Sequence, residues 1–194
     1  GIPPAIAIDQ TNPVRTSRST VGTMTELADH LKLLYARAAT LYCRQCEHPV
    51  RRDTPESIAA ELLGPSARKS ATGTARRALV TFPVAVPHNF TETEVLELLG
   101  KQGYTRIHAR EDGRLEVVQD RIVLQPSARG RLVEDLEAAL RHGQGRVSVH
   151  GVDASGAVVA GATRRFSADL HCAECDIHYR DPVPNLFSFN SPIG

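Results

Sequence analysis

RALVTFPVAVPHNFTETEVLELLGKQGYTRIHAR, residues 77–110, passes from a strand pattern to a helix pattern and back. Ala78–Val86 is dense in apolar and β-branched residues and reads as a strand. Thr91-x-x-Glu94 is a capping box, in which each side chain satisfies an orphan N–H near the start of a helix. Val95, Leu98 and Leu99 form the inner face of that helix and Gly103 ends it. Tyr104–Arg110 reads as the next strand, and Asp112-Gly113 is a strong hairpin turn signal. Leu115–Leu124 follows as a strand. Ser127 is then expected to cap a helix bearing Leu132, Leu136, Ala139 and Leu140, ended by Gly143, before a strand at Arg146–Val152. The order predicts an α+β fold: a split βαβ-type (βαββαβ) antiparallel sheet with two helices on one face. Ser155-Gly156 predicts one further hairpin, with Ala157–Ala160 and Thr163–Ala168 beside it.

Outward from this block the pattern changes. Ala5–Ile8 reads as a short strand, and Thr23-x-x-Glu26 as a capping box opening a helix with Leu27, Leu31, Leu34 and Ala38 on one face. Thr54-Pro55 opens another helix, with Pro at its tolerated first position and Ile58, Leu62 and Leu63 inside, stopped by Gly64-Pro65. Residues 65–76, PSARKSATGTAR, read as a flexible linker. Residues 1–76 and 169–194 are therefore expected to form one small unit, interrupted by a compact insert at 77–168. The apolar start and the tail-less end, LFSFNSPIG, suggest a piece of a longer protein.

The chain has 194 residues, 41% of them hydrophobic, which is enough to build a core. Lys and Arg number 23 against 22 Asp and Glu, so no overall charge draws it to nucleic acid or to a membrane surface. No apolar run reaches the roughly 20 residues of a membrane span. The N-terminus also lacks the basic start and apolar centre of a secretion signal, so the expected location is cytoplasmic.

Four cysteines fall in two CxxC pairs, Cys43 with Cys46 and Cys172 with Cys175. Each pair can turn two thiolates toward one ion, and zinc takes four tetrahedral ligands. Two distant pairs meet that need if the insert returns its ends to one place. A shared structural zinc is the reading, against redox dithiols or unrelated thiols. His48, His171 and His178 flank the pairs and are alternative ligands, although four thiolates suffice. A closed site of this kind leaves no position for substrate, so its role is structural.

Catalytic motifs are missing: no phosphate-binding GxxxxGK[ST], no GxSxG and no HExxH. Glu92, Glu94, Glu97, Glu134, Asp135 and Glu137 lie on helix faces and read as solvated. The split βαβ arrangement also serves RNA recognition, but LEVVQDRIVL has no aromatic residue on which a base could stack. Arg68-Lys69 and Arg76-Arg77 can touch phosphate, but read as a soluble linker. Partner binding remains. Arg106 and Arg110 on one strand and Arg121 on the next are expected to share a face, and Arg favours paired bonds to carboxylates at interfaces.

Three stretches carry a family likeness: PAIAIDQ…RSTVGTMTEL…LKLLYARA at 4–38, GKQGYTRI with QDRIVL at 100–107 and 119–124, and CAEC…LFSFNSPIG at 172–194. Together they resemble the UvrA family of nucleotide excision repair, ATP-binding-cassette ATPases that search DNA for lesions. The resemblance implies that 77–168 is a UvrB-binding domain inserted into the first cassette half. It also implies that Cys43, Cys46, Cys172 and Cys175 are a zinc module at the insert's stem. Arg106 and Arg121 match positions that contact UvrB, and Gln10, in IDQ, resembles the cassette glutamine that senses nucleotide. ATP, magnesium and DNA would be bound by the rest of such a protein, so this chain alone is expected to be no enzyme. The stretch between Arg106 and Arg121 is shorter than in typical members. That leaves open a divergent paralogue with another partner, beside the redox and direct DNA-binding alternatives.

Overall fold

The computed structural model describes residues 20–64, 76–111, 113–188 and 191–192. The chain divides into two compact units, residues 1–40 with 180–194, and residues 41–179. The expected strand at Ala5–Ile8, Gln10, and nearly all of the expected linker lie outside the described residues.

In the first unit, α1 (Val21–Met24) and α2 (Leu27–Ala38) accompany a 3-10 turn at Pro184–Phe187. The capping box forms three residues earlier than the sequence suggests. Thr20, not Thr23, caps α1, and Thr23 closes the box from inside. Glu26 has φ +61 and breaks the helix there, so α2 starts afresh at Leu27. Tyr35 meets Phe187 with ring centroids 5.8 Å apart. Leu27, Leu31 and Leu34 are exposed on α2.

The second unit begins with β1 (Leu41–Tyr42), β2 (Pro49–Val50) and α3 (Pro55–Leu63). Then come β3 (Arg77–Ala85), α4 (Glu92–Lys101), β4 (Ile107–Glu111), β5 (Arg114–Val123), α5 (Arg129–His142), β6 (Arg146–Val152) and β7 (Val158–Ser167). It ends with β8 (His171–Cys172) and β9 (Ile177–His178). Strands β3 to β7 form one sheet in the order β4-β5-β3-β6-β7, antiparallel throughout. The first four strands of that sheet, with α4 and α5, are the expected βαββαβ arrangement.

Local chemistry explains most boundaries. Thr91 Oγ1 accepts from the Glu94 amide, and the Glu94 carboxylate accepts from the Thr91 amide, so α4 starts where its capping box lies. Thr54 caps α3 with Ser57 in the same way, with Pro55 in the first turn. Ser127 does not cap α5. It falls in a 3-10 turn, Pro126–Ala128, that leads directly into the helix. Gly113 takes φ +70 just before β5. After β6, Asp153 Oδ1 accepts from the Ser155 and Ala157 amides, and Gly156 takes φ +88. The two short segments expected after this turn are one strand, β7, which passes through Gly161 at φ +73.

Ala78, Val80 and Phe82 of β3 point to the helix side and are buried with Leu115, Val117, Val147 and Val149. α4 adds Val95 and Leu99, and α5 adds Leu132, Leu136, Ala139 and Leu140. A third helix joins them: α3 packs against α5 and brings Ile58, Ala59 and Leu62 into the same core. Among the described residues, no helix is long and apolar enough to cross a membrane.

Candidate metal centre and interaction surface

Each cysteine pair sits at a hairpin of two very short strands, with Cys172 itself the last residue of β8. β1 pairs β2 around Cys43 and Cys46, and β8 pairs β9 around Cys172 and Cys175. The residue after the second cysteine of each pair is left-handed, Glu47 at φ +58 and Asp176 at φ +53. The two turns are thus built alike. They are brought together by pairing on the sheet side, where the Asp53 amide donates to the Ser167 carbonyl at 2.8 Å and Asp53 Oδ2 accepts from the Ser167 amide at 3.4 Å.

The four sulfurs lie within 4.8 Å of one another, and Cys46 Sγ is 3.6 Å from Cys172 Sγ. A tetrahedral ion with sulfur at about 2.3 Å requires sulfurs about 3.8 Å apart. All four cysteines are free, so the spacing is that of a shared coordination site and not of disulfides. Cys43 is held down at about 5, first by the Tyr179 hydroxyl and then by the Cys46 amide. Cys175 is pushed up to about 12, chiefly by its hydrogen bond with Cys46. Four cysteine sulfurs this close together are a donor set for a cation. Four cysteines could therefore hold one metal ion here.

Among the described residues, no histidine joins that group. His171 Nε2 instead meets Asp176 Oδ1 at 2.8 Å, and its ring stacks on His178 at 4.3 Å. His178 Nε2 meets Arg146 Nη2 at 2.9 Å, and the His48 carbonyl accepts from the Cys43 amide. Sequence reasoning missed the groups that tie the second turn to the sheet. Arg165 of β7 donates to Glu174 at 2.7 Å, and Arg146 of β6 pairs with Asp176 at 2.9 Å. Glu174 and Asp176 are legible in the sequence as polar neighbours of the cysteines, but nothing local marks their partners.

The other face of the sheet carries the arginines. Leu79 and Thr81 alternate with the core residues of β3 and so face away from the helices. Arg121 lies opposite Leu79, which lies opposite His150. Val118 lies opposite Thr81, and its amide donates to the Arg106 carbonyl at 2.9 Å. The register therefore places Arg106 and Arg121 toward this face, and both are exposed. Arg110 departs from the expectation. The extra residue His108 shifts the β4–β5 register, so Arg110 lies opposite the core residue Leu115 and pairs with Glu92 of α4 at 3.3 Å. His108 stacks on His150 at 4.5 Å. His150 is lowered to about 4, first by burial, while its nitrogens meet Thr81 and Thr163 hydroxyls at 3.0 and 2.9 Å. Burial also raises Glu116, which belongs to the same face.

Comparison with known proteins bears on this geometry. Residues 107–153, which run from β4 to just past β6, match the family model described as the UvrA interaction domain. The whole chain aligns with UvrABC system protein A of Clostridium perfringens at 32% identity, covering 21% of that protein. It aligns likewise with the Bacillus subtilis protein of that name at 35% identity, covering 20% of it, and with the Mycobacterium tuberculosis one at 36%, covering 21%. The chain thus spans about one fifth of the length of these relatives. The alignments extend over 211–213 positions against 194 residues, so this chain lacks residues that the relatives have.

Proposed function

We propose, from its similarity to UvrABC system protein A and to the UvrA interaction domain, that this chain is a protein-interaction module that docks UvrB during bacterial nucleotide excision repair. The observation that carries the reading is the match of residues 107–153 to the interaction domain, because those residues include β4, β5 and β6, and β5 presents Arg121. Arg106 and Arg121 supply charge steering and register toward carboxylates on the partner. In this reading 77–168 is the docking domain, and 1–76 with 169–194 belong to the first cassette half with its zinc module. The ion held by Cys43, Cys46, Cys172 and Cys175 is zinc, in a closed structural site. Gln10 senses nucleotide. ATP, magnesium and DNA are engaged by the remainder of a full-length ATPase in the cytoplasm, and the chain itself catalyses nothing.

The chain's own residues do the mechanical work. Zinc, when bound, cross-links the two cysteine turns without chemistry of its own. Arg146 and Arg165 clamp the second turn to β6 and β7. Asp53 fixes the segment after the first turn to the end of β7. The docking sheet is thereby anchored at its stem.

The test is a binding titration of UvrB against the chain and its double variant Arg106→Ala/Arg121→Glu. Both side chains are exposed, so the variant is expected to keep its fold, checked by circular dichroism, and to lose UvrB binding. Unchanged binding contradicts the docking face. The shorter chain favours a second reading, a divergent paralogue with another partner. In that case both proteins fail to bind UvrB from the outset.

A further inference from the structure

The two cysteine turns are 126 residues apart at Cys46 and Cys172, and one side chain reaches from one to the other. Tyr179 follows β9, just after the second turn, and its amide donates to the Leu170 carbonyl at 2.8 Å. Its hydroxyl lies on the first turn. There it donates to Cys43 Sγ at 3.3 Å and accepts from the Arg44 amide at 2.9 Å. The ring packs against the small cluster of Cys43, Val50 and Cys172. Cys43 is 1% exposed, so solvent does not compete for its sulfur.

We infer that Tyr179 is a positioning residue of the metal centre: it aligns the first cysteine turn on the second and donates a hydrogen bond to Cys43 Sγ. The inference rests on the reading of the four cysteines as a metal site. A donor aimed at a coordinated sulfur withdraws electron density from it. The sulfur is then less basic, so it is protonated off the metal less readily and attacks electrophiles more slowly. The Arg44 amide keeps the hydroxyl oriented, since it occupies the oxygen's acceptor side and leaves the proton for sulfur. The sequence gives no local signal for this contact, because the hydroxyl and the sulfur are 136 positions apart.

The experiment uses Tyr179→Phe, which keeps the ring and removes only the hydroxyl, with Tyr42→Phe as a control at an exposed tyrosine. Each protein is loaded with zinc, and separately with cobalt(II). Tyr179→Phe is expected to bind one metal per chain but to release zinc to a chromogenic chelator about tenfold faster. Its cobalt–thiolate charge-transfer band is expected to shift, and iodoacetamide to label Cys43 earlier in mass-mapped time courses. Fluorotyrosine in place of tyrosine makes the hydroxyl a stronger donor and is expected to move the cobalt band the opposite way. That reading does not depend on the Phe variant folding. Zinc release and a cobalt spectrum identical to the parent's, in both substitutions, overturn the inference. If even the parent takes up no stoichiometric metal, the metal-site reading falls, and the inference with it.

Discussion

The five-stranded sheet buries Phe82, Leu115, Val117, Leu132 and Leu136 beneath its helices, whereas among the described residues the stem's buried apolar cluster is Val50 with Cys43 and Cys172. The sheet has apolar area enough to hold itself together. The stem has two-residue strands and a core made largely of its own candidate metal ligands, so its order depends on what the sulfurs hold. Small units that cannot bury a core are commonly stabilised by a metal. The sheet answers to packing and the stem to coordination.

The largest effect is expected from Cys172→Ser. Structural zinc contributes on the order of 10–16 kcal/mol in zinc peptides, so the stem should lose its order. Hydrogen exchange should show lost protection at 41–50 and 170–179 with Val80, Val147 and Val149 still protected. Loss of protection in the sheet at the same step breaks the comparison. Next comes Leu136→Ala, which opens a cavity under the sheet and should cost about 2–5 kcal/mol in denaturant unfolding. Its metal content should not change. A cost well below that range would mean that the sheet does not rely on this core.

Asp53→Ala sharpens the boundary between the regions. The side chain is buried and accepts from both the Ser167 amide and Arg51. Its loss should cost about 1–3 kcal/mol. Combined with Cys172→Ser, the two costs should be less than additive, because one variant already frees the segment that the other releases. Strict additivity would show that Asp53 does not couple stem to sheet.

The smallest effect is one of pH. His150 is lowered to about 4 in the folded protein, whereas an unfolded histidine titrates near pH ~6.5. As pH falls between those values the unfolded chain takes up a proton that the folded one refuses. Stability is therefore full above the upper value and is lost toward the lower. Asp135 opposes this. It is pushed up to about 6, first by burial, so the folded chain gains stability as pH falls below that value. The stability difference between the parent and His150→Gln isolates the histidine, and should narrow as pH falls through the window. A flat difference contradicts the buried neutral imidazole.

Local signals made the sheet's plan legible. Thr91-x-x-Glu94, Gly113 and Gly143 mark real boundaries, because caps and tight turns are decided by neighbouring residues. Register was not legible. His108 in β4 and Gln119 in β5 are extra residues that shift the pairing, and only the partner strand reveals them. That is why Arg110 turns to the helix side while Arg106 and Arg121 do not. α3 was legible as a helix, but its place against α5 is a long-range packing choice. At the metal centre, the paired CxxC spacing announced the four sulfurs. Tyr179, Arg146 and Arg165 reach it through the fold, across separations that no local pattern encodes.

The most direct test of the contrast between packing and coordination is the metal content of the purified chain, by elemental analysis, with thiol titration under denaturing conditions. The account predicts about one zinc per chain and four reduced thiols, as a closed four-thiolate site requires. No metal, with the cysteines oxidised in pairs, would contradict it.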